Sequence, residues 1–146
     1  MATTTISLSI TRILESVYAH SAAESLSSGI ERPEILGRAR EAMLKVICRD
    51  VIAGITMKFG KALTGSNLGS AQDIVTLDLR LPDSVIPTLF QPALETAVAA
   101  GVLARAWSGS EGPMCERYER VSEMSVAVLA RHLASGPLPD AIRPTA

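Results

Sequence analysis

The sequence predicts a mainly α-helical domain: a four-helix bundle with one short β-strand or hairpin between its second and third helices, followed by an extended C-terminal arm. Apolar residues recur at three- and four-residue intervals along four stretches of the chain, which is the helical pattern. Only 3% of the residues are aromatic, so Ala, Val, Leu, Ile and Met have to build the core, and this composition favours packed helices. We expect residues 1–134 to form the domain and residues 135–146 to form the arm.

The first helix is predicted between Ile6 and Leu26. Its inward positions are Ile6, Ile10, Ile13, Leu14 and Val17. A second helix is predicted to begin near Pro33, because proline fits the first turn of a helix, where its missing N–H costs nothing. Its inward positions are Ile35, Leu36, Ala39, Ala42, Met43, Val46, Ile47 and Val51.

The end of the second helix is open on the sequence alone. Ile55–Phe59 alternates apolar and polar residues as a short strand does, although a continued helix is favoured. Thr64–Ser70 has the composition of a flexible linker, since its residues permit unusual dihedral angles or compete with helical hydrogen bonds.

One stretch has a clear strand pattern. Its apolar residues Val75, Leu77, Leu79 and Leu81 alternate with polar ones, and Pro82-Asp83 ends it. A lone strand leaves backbone groups unpaired on both edges. We therefore predict that it pairs either with a hairpin from residues near Thr56 to Leu63 or with a strand of another chain, and the four apolar residues become candidate interface residues.

Two further helices are predicted to form an antiparallel hairpin. A helical region follows Asp83 or Ser84, becomes regular at Pro92 and ends at Trp107; its many small residues allow another helix to approach closely. The fourth helix is predicted from Met114 to Leu133. Its inward positions are Tyr118, Val121, Met124, Val128 and Leu129. The arm holds three prolines, and its candidate contacts are Leu138, Ile142 and Arg143.

The chain offers few groups for chemistry. Lys plus Arg number 14 and Asp plus Glu 15, so the formal net charge of −1 argues against a conventional nucleic-acid binder. Neither histidine has a metal-ligand or catalytic spacing to the other or to a cysteine, and the glycines form no phosphate-binding motif. We expect no catalytic residues, no metal and no cofactor. No apolar run approaches the ~20 residues that span a bilayer, and we expect no membrane partner.

The order of elements from Arg38 onward resembles that of the head-tail connector (adaptor) proteins of tailed phages. The details that resemble this family are the strand ending in Leu81-Pro82-Asp83, the aromatic-ended helix Val102–Trp107, the mixed-charge start Glu116–Arg120 around Tyr118, and the basic, proline-containing end Ile142–Pro144.

The resemblance implies a structural virion protein. Such a protein forms a homo-oligomeric ring that joins the portal to the tail or tail-completion proteins, and DNA passes through its lumen without specific binding. The location implied is the virion neck, after assembly in the host cytoplasm. The alternative is a small helical regulatory or antitoxin-like dimer of a bacterium or prophage, against which the missing basic recognition helix argues.

Overall fold

The computed structural model describes residues 2–27, 35–70, 72–108 and 112–135. Within these ranges the chain is mainly α-helical, as predicted, with four α-helices and a three-stranded antiparallel sheet. In chain order the elements are β1 (Ala2–Ser9), α1 (Ile10–Ser27), α2 (Glu41–Phe59), β2 (Leu63–Ser66), β3 (Ile74–Leu81), α3 (Pro87–Ala106) and α4 (Gly112–Ser135). Single turns of 3-10 helix occupy Arg38–Arg40, Gly60–Ala62 and Leu68–Ser70.

The N-terminal strand β1 corrects the predicted start of the first helix. Ile6 is buried as predicted, but it lies in a strand, and α1 begins only at Ile10. Strand β1 pairs with β3 along its whole length, with Ile6 opposite Leu77. The backbone carbonyl of Asp73 accepts from the N–H of Ile10, and its carboxylate accepts from the N–H of Thr11 at 3.0 Å. The residue before β3 therefore caps the helix that follows β1.

The central strand of the sheet is β3, because the strand order is β1-β3-β2. A hairpin partner for β3 is present, but not over the predicted residues Thr56 to Leu63, which are helical as far as Ala62. The strand β2 is Leu63–Ser66, with Leu63 opposite Leu79, and its last three residues lie in the segment predicted to be a linker. Ile55–Phe59 belongs to α2, so the continued helix is confirmed. Asn67 closes the hairpin, since its side-chain oxygen accepts from the N–H of Thr76 at 2.7 Å.

Helix α3 is the centre of the helical layer, and its middle is buried from Ala97 to Ala104. It begins at Pro87, five residues before the predicted Pro92, which lies inside the helix. Its packing against α4 is antiparallel, as two hydrogen bonds show. Ser122 donates to the carbonyl of Ala97 at 2.9 Å, and Cys115 donates to the carbonyl of Ala104 at 3.1 Å.

Gly101 of α3 lies where both α2 and α4 pack closely against α3. A Cβ built on it would lie 2.8 Å from a methyl carbon of Val51 on α2 and 3.1 Å from the hydroxyl of Ser122 on α4. Carbon atoms in contact are ordinarily ~3.5–4.0 Å apart. The small residue predicted to permit close helix approach is therefore required at this position.

Two helices expose residues that the sequence predicted to be inward. On α2 and just before it, Ile35, Met43 and Val46 are exposed, whereas the core side is formed by Leu44, Cys48, Val51, Ile52, Ile55 and Phe59. On α4, Tyr118 and Leu129 are buried as predicted, but Val121, Met124 and Val128 are exposed. The remaining core positions of α4 are Ser122, Val126 and Leu133.

Candidate functional site

The four strand residues predicted to form an interface lie in the core of the chain. The four residues Val75, Leu77, Leu79 and Leu81 are at most 4% exposed, and both edges of β3 are paired within the chain. Their alternation predicts the strand correctly, but the edges of this strand pair with β1 and β2 of the same chain. The prediction of an interface made by these side chains is therefore wrong.

The three arm residues predicted to make contacts, Leu138, Ile142 and Arg143, lie outside the described residues. The arm itself, predicted from Ser135 to Ala146, lies outside them apart from Ser135, which is the last residue of α4. The structure therefore defines only the point at which the arm begins.

A row of exposed residues follows the outer side of α2 and the turn before it. They are spaced alternately by four and three residues, and we call them the α2 row: Ala39, Met43, Val46, Asp50, Ala53 and Met57. This spacing is that of the a and d positions of a coiled coil, and it suits packing against another helix. Val46 is 59% exposed and Met57 is 83% exposed, so no described part of the chain covers the row.

A second apolar surface lies between the start of α3 and the last turns of α4. This α3–α4 groove has a volume of about 300 Å³, and its main lining residues are Ile86, Leu89, Phe90, Ala93, Val128 and Leu129. Ile86, Leu89 and Val128 are 55%, 66% and 46% exposed. Ser84 and His132 are the polar residues on its wall, and no charged carboxylate, lysine or arginine lines it within the described residues.

The two apolar surfaces lie on different flanks of the molecule. On α4, Val126 faces a cleft shared with α2, whereas Val128 lines the α3–α4 groove. Residues two apart on a helix point about 200° apart, because each residue turns the helix by ~100°. The α3–α4 groove therefore opens away from α2, and the two surfaces cannot cover each other within one chain.

The cleft between α2, α3 and α4 brings together charged groups of both signs. It has a volume of about 290 Å³ and is lined among others by Lys58, Arg105, Glu119, Glu123 and Cys115. The thiol of Cys115 donates to a backbone carbonyl, and burial raises the pKa of Cys115. A thiol with a raised pKa is less readily ionised to the nucleophilic thiolate. The arrangement does not activate this cysteine.

The other groups considered for chemistry are dispersed. Cys48 is fully buried, and burial raises its pKa to about 12. The ring of His20 hydrogen-bonds the carbonyl of Ser16 in its own helix, and His132 lies at the other end of the chain on the wall of the α3–α4 groove. Among the described residues no group of three or more His, Cys, Asp and Glu side chains could hold a metal ion.

Exposed apolar residues are thus the most distinctive surface feature of the described ranges, and the sequence pattern predicts most of them to be in the core.

None of the described helices combines the length and the hydropathy needed to cross a membrane. Comparison of the chain with protein-family models, with curated proteins and with solved structures finds no match.

Proposed function

We propose that this chain is a structural subunit of the head-tail connector ring of a tailed phage, joining portal to tail and letting DNA pass through the lumen. The observation that carries the proposal is the presence of two separate apolar surfaces, the α2 row and the α3–α4 groove, on different flanks. A ring subunit needs contacts of this kind, because head-to-tail contacts join two different patches of the same subunit.

The chemistry of the surfaces supports an assembly role, because contiguous exposed apolar residues mark interaction sites. Leu89 on α3 is 66% exposed and Val46 on α2 is 59% exposed, so neither side chain is part of the core. The near-neutral charge of the chain suits a lumen through which DNA slides, since strong neutralisation of phosphates would hold the DNA in place.

The second candidate is a small regulatory helical dimer, and the α2 row favours it. Heptad spacing suits pairing of the row with the same row of a second copy. A dimer of this kind uses one patch on both subunits and leaves the α3–α4 groove unused.

Mass in solution, with and without a tailed-phage portal protein, separates the two candidates. A connector subunit is expected to be monomeric or weakly associated alone and to form rings of one size on the portal. Val46→Asp tests the α2 row, and Leu26→Asp is the matched control, because Leu26 is 86% exposed and lies outside both surfaces. A dimer that persists on dilution, does not bind the portal and dissociates only in the Val46→Asp variant would contradict the connector and favour the helical dimer.

A further inference from the structure

We propose that the outer edge of strand β1 pairs with the same edge of a second copy of the chain, so that two three-stranded sheets form one continuous antiparallel sheet. This pairing does not depend on the proposed ring, because it concerns the chain alone in solution. Three features support it: the direction in which the backbone groups of β1 point, the contrast between the two edges of the sheet, and the self-complementary sequence of the strand.

Hydrogen bonds of the central strand β3 show which backbone groups of β1 point outward. Asn67, which closes the hairpin with β2, bonds the carbonyl groups of Ile74 and Thr76 and the N–H of Thr76, so these groups face β2. Successive residues of an antiparallel strand turn their backbone groups to opposite edges. Leu77 therefore faces β1, where it lies opposite Ile6. Every second residue of β1, counted from Ile6, bonds β3, and the residues between them point their N–H and C=O groups away from it.

The residues with outward backbone groups are Thr3, Thr5 and Ser7. All three are exposed, whereas Ile6 is 2% and Leu8 0% exposed, as expected for residues whose backbone groups are bonded to β3. Within the described ranges, the outward N–H and C=O groups of the three residues have no backbone partner. A further antiparallel strand would supply donors and acceptors for all of them.

The two edges of the sheet differ in how they are protected. Proteins protect an exposed edge strand by making it short, by placing a charge or a proline on it, or by a bulge. The β2 edge has four residues, and its pairing with β3 shifts register between Leu63 and Gly65. Strand β1 has eight residues, pairs with β3 without a shift, and contains neither a charged residue nor a proline. The β1 edge is therefore the one that can accept another strand.

The sequence of β1 favours a second copy as that strand. When two copies are placed antiparallel about a two-fold axis at Thr5, Thr5 lies opposite Thr5 and Thr3 lies opposite Ser7 of the second copy. Each of these pairs exchanges two backbone hydrogen bonds. Thr–Thr and Thr–Ser pairs across strands are favourable, and the strand brings no like charges together. A charged partner strand, by contrast, would meet no complementary charge on β1.

Charge exchange between two variants tests the pairing and its register. One chain carries Thr3→Lys with Ser7→Lys, and the other carries Thr3→Glu with Ser7→Glu. Thr5 is unchanged, because its hydroxyl donates to Asp78 at 2.7 Å. In sedimentation equilibrium, the mass of the natural chain should rise with concentration from that of one chain towards twice that value. Each variant alone should keep the mass of one chain, because like charges then lie opposite each other, and an equimolar mixture should regain the pairing.

Ser7→Pro is the second test, because it removes an N–H that points away from β3 and leaves the ladder within the chain intact. It should abolish the pairing without loss of melting temperature. Val46→Asp, on the α2 row, is the control and should pair as the natural chain does.

A natural chain that keeps the mass of one chain at every concentration overturns the proposal. Self-association that survives in both charged variants and in Ser7→Pro, or that is lost only in Val46→Asp, overturns it as well. Rings on a portal formed by chains that never pair through β1 would leave the connector function standing and remove this contact. Pairing through β1 by chains that never assemble on a portal would do the reverse.

Discussion

The hydroxyl of Tyr118 on α4 donates a 2.8 Å hydrogen bond to the carboxylate of Glu24, which lies 94 residues earlier at the end of α1. Arg117 binds the same carboxylate oxygen at 3.2 Å and also stacks over the Tyr118 ring, 5.6 Å from its centroid. The ring of Tyr118 in turn meets buried Trp107 edge-on, at 5.5 Å between centroids. The mixed-charge segment at the start of α4 is thus the attachment of α4 to α1.

Tyr118→Phe removes one hydrogen bond from this attachment and leaves the ring contact with Trp107 in place. We expect the free energy of unfolding to fall by about 1–2 kcal/mol, because the carboxylate of Glu24 loses a donor in a half-buried position. Chemical denaturation at neutral pH measures the loss. Tyr118→Leu, which also removes the ring, should cost more, and equal losses for the two variants would show that the hydroxyl contributes nothing.

The pH dependence of stability provides a second readout of Tyr118. Burial, together with the hydrogen bond to Glu24 and the charge of that carboxylate, raises the pKa of Tyr118 to about 12 from its ordinary value of 10.0. The folded state therefore favours the neutral phenol, and this contribution is complete below pH 10 and is lost as the pH rises towards 12. In the Tyr118→Phe variant this part of the alkaline fall in stability should be absent.

Asp73 stabilises the junction between the sheet and α1. Its carboxylate accepts from the hydroxyl of Thr11 at 2.6 Å, from the N–H of Thr11, and from the hydroxyl of Ser9. We expect Asp73→Ala to lower the free energy of unfolding by about 1–2 kcal/mol, as the loss of a helix N-cap does. Asp73→Asn keeps an acceptor oxygen and is the control; it should cost clearly less in thermal or urea denaturation.

The hydrogen bonds at Asp73, first that from the Thr11 hydroxyl, hold the pKa of its carboxyl below the ordinary value of 3.8. A lowered folded-state pKa contributes stability that is present above pH 3.8 and is lost as the pH falls below it. The stability difference between the natural chain and Asp73→Asn should therefore shrink on acidification below pH 4. A difference that stays constant down to pH 2 would contradict this account.

Gly101 and Gly54 form a matched pair for testing helix packing, since both stand inside helices and line the same cleft. Alanine ordinarily stabilises a helix interior by about 1 kcal/mol relative to glycine. At Gly54 the nearest atom to a new Cβ is the side chain of Arg105 at 4.0 Å, so Gly54→Ala should raise the melting temperature.

Gly101→Ala should have the opposite effect. Its new methyl group would lie 2.8 Å from Val51 and 3.1 Å from Ser122, and we expect a loss of about 1–3 kcal/mol from overpacking. Val51→Ala in the same chain should recover part of the loss. Equal stabilisation by alanine at both glycines would mean that the three helices are less closely packed than the structure has them.

In helix α4 the apolar pattern predicts the helix but not its buried face. It carries two rows of apolar residues, one through Tyr118, Val126 and Leu129 and another through Val121, Met124 and Val128. Both have helical spacing, so periodicity predicts the helix correctly without saying which row faces the core. Packing against α3 decides which row is buried. The polar residue Ser122 lies on the buried side, beside Gly101, and donates to the carbonyl of Ala97.

The N-terminal strand was missed for a related reason. Ile6 and Leu8 alternate with polar residues as strand residues do, yet Ile6 is also four residues before Ile10 and continues the helical row. Local pattern cannot separate the two readings. Residues 2–9 form a strand because they pair with β3, which lies about 70 residues further along the chain. The four apolar residues of β3 that were predicted to form an interface are buried in the same sheet.

The last prediction concerns the arm, which we expect to contribute assembly and little folding. The described core is complete without it: the final core residue of α4 is Leu133, at 4% exposure, and the sheet is paired on both sides of β3. A chain that ends at Ala134 should therefore keep its helical circular dichroism and its melting temperature.

Assembly of that shortened chain should fail, because the candidate contact residues Leu138, Ile142 and Arg143 are then missing. Three prolines in the arm reduce the entropy lost when it binds, so its removal takes away a contact of low ordering cost. Leu138→Asp with Ile142→Asp in the full-length chain separates the contact from mere length and should match the truncation in measurements of ring mass on the portal. If the truncated chain assembles normally, the arm has no role in the ring. If instead its melting temperature drops by several degrees, the arm packs on its own domain, and its side chains contribute to folding.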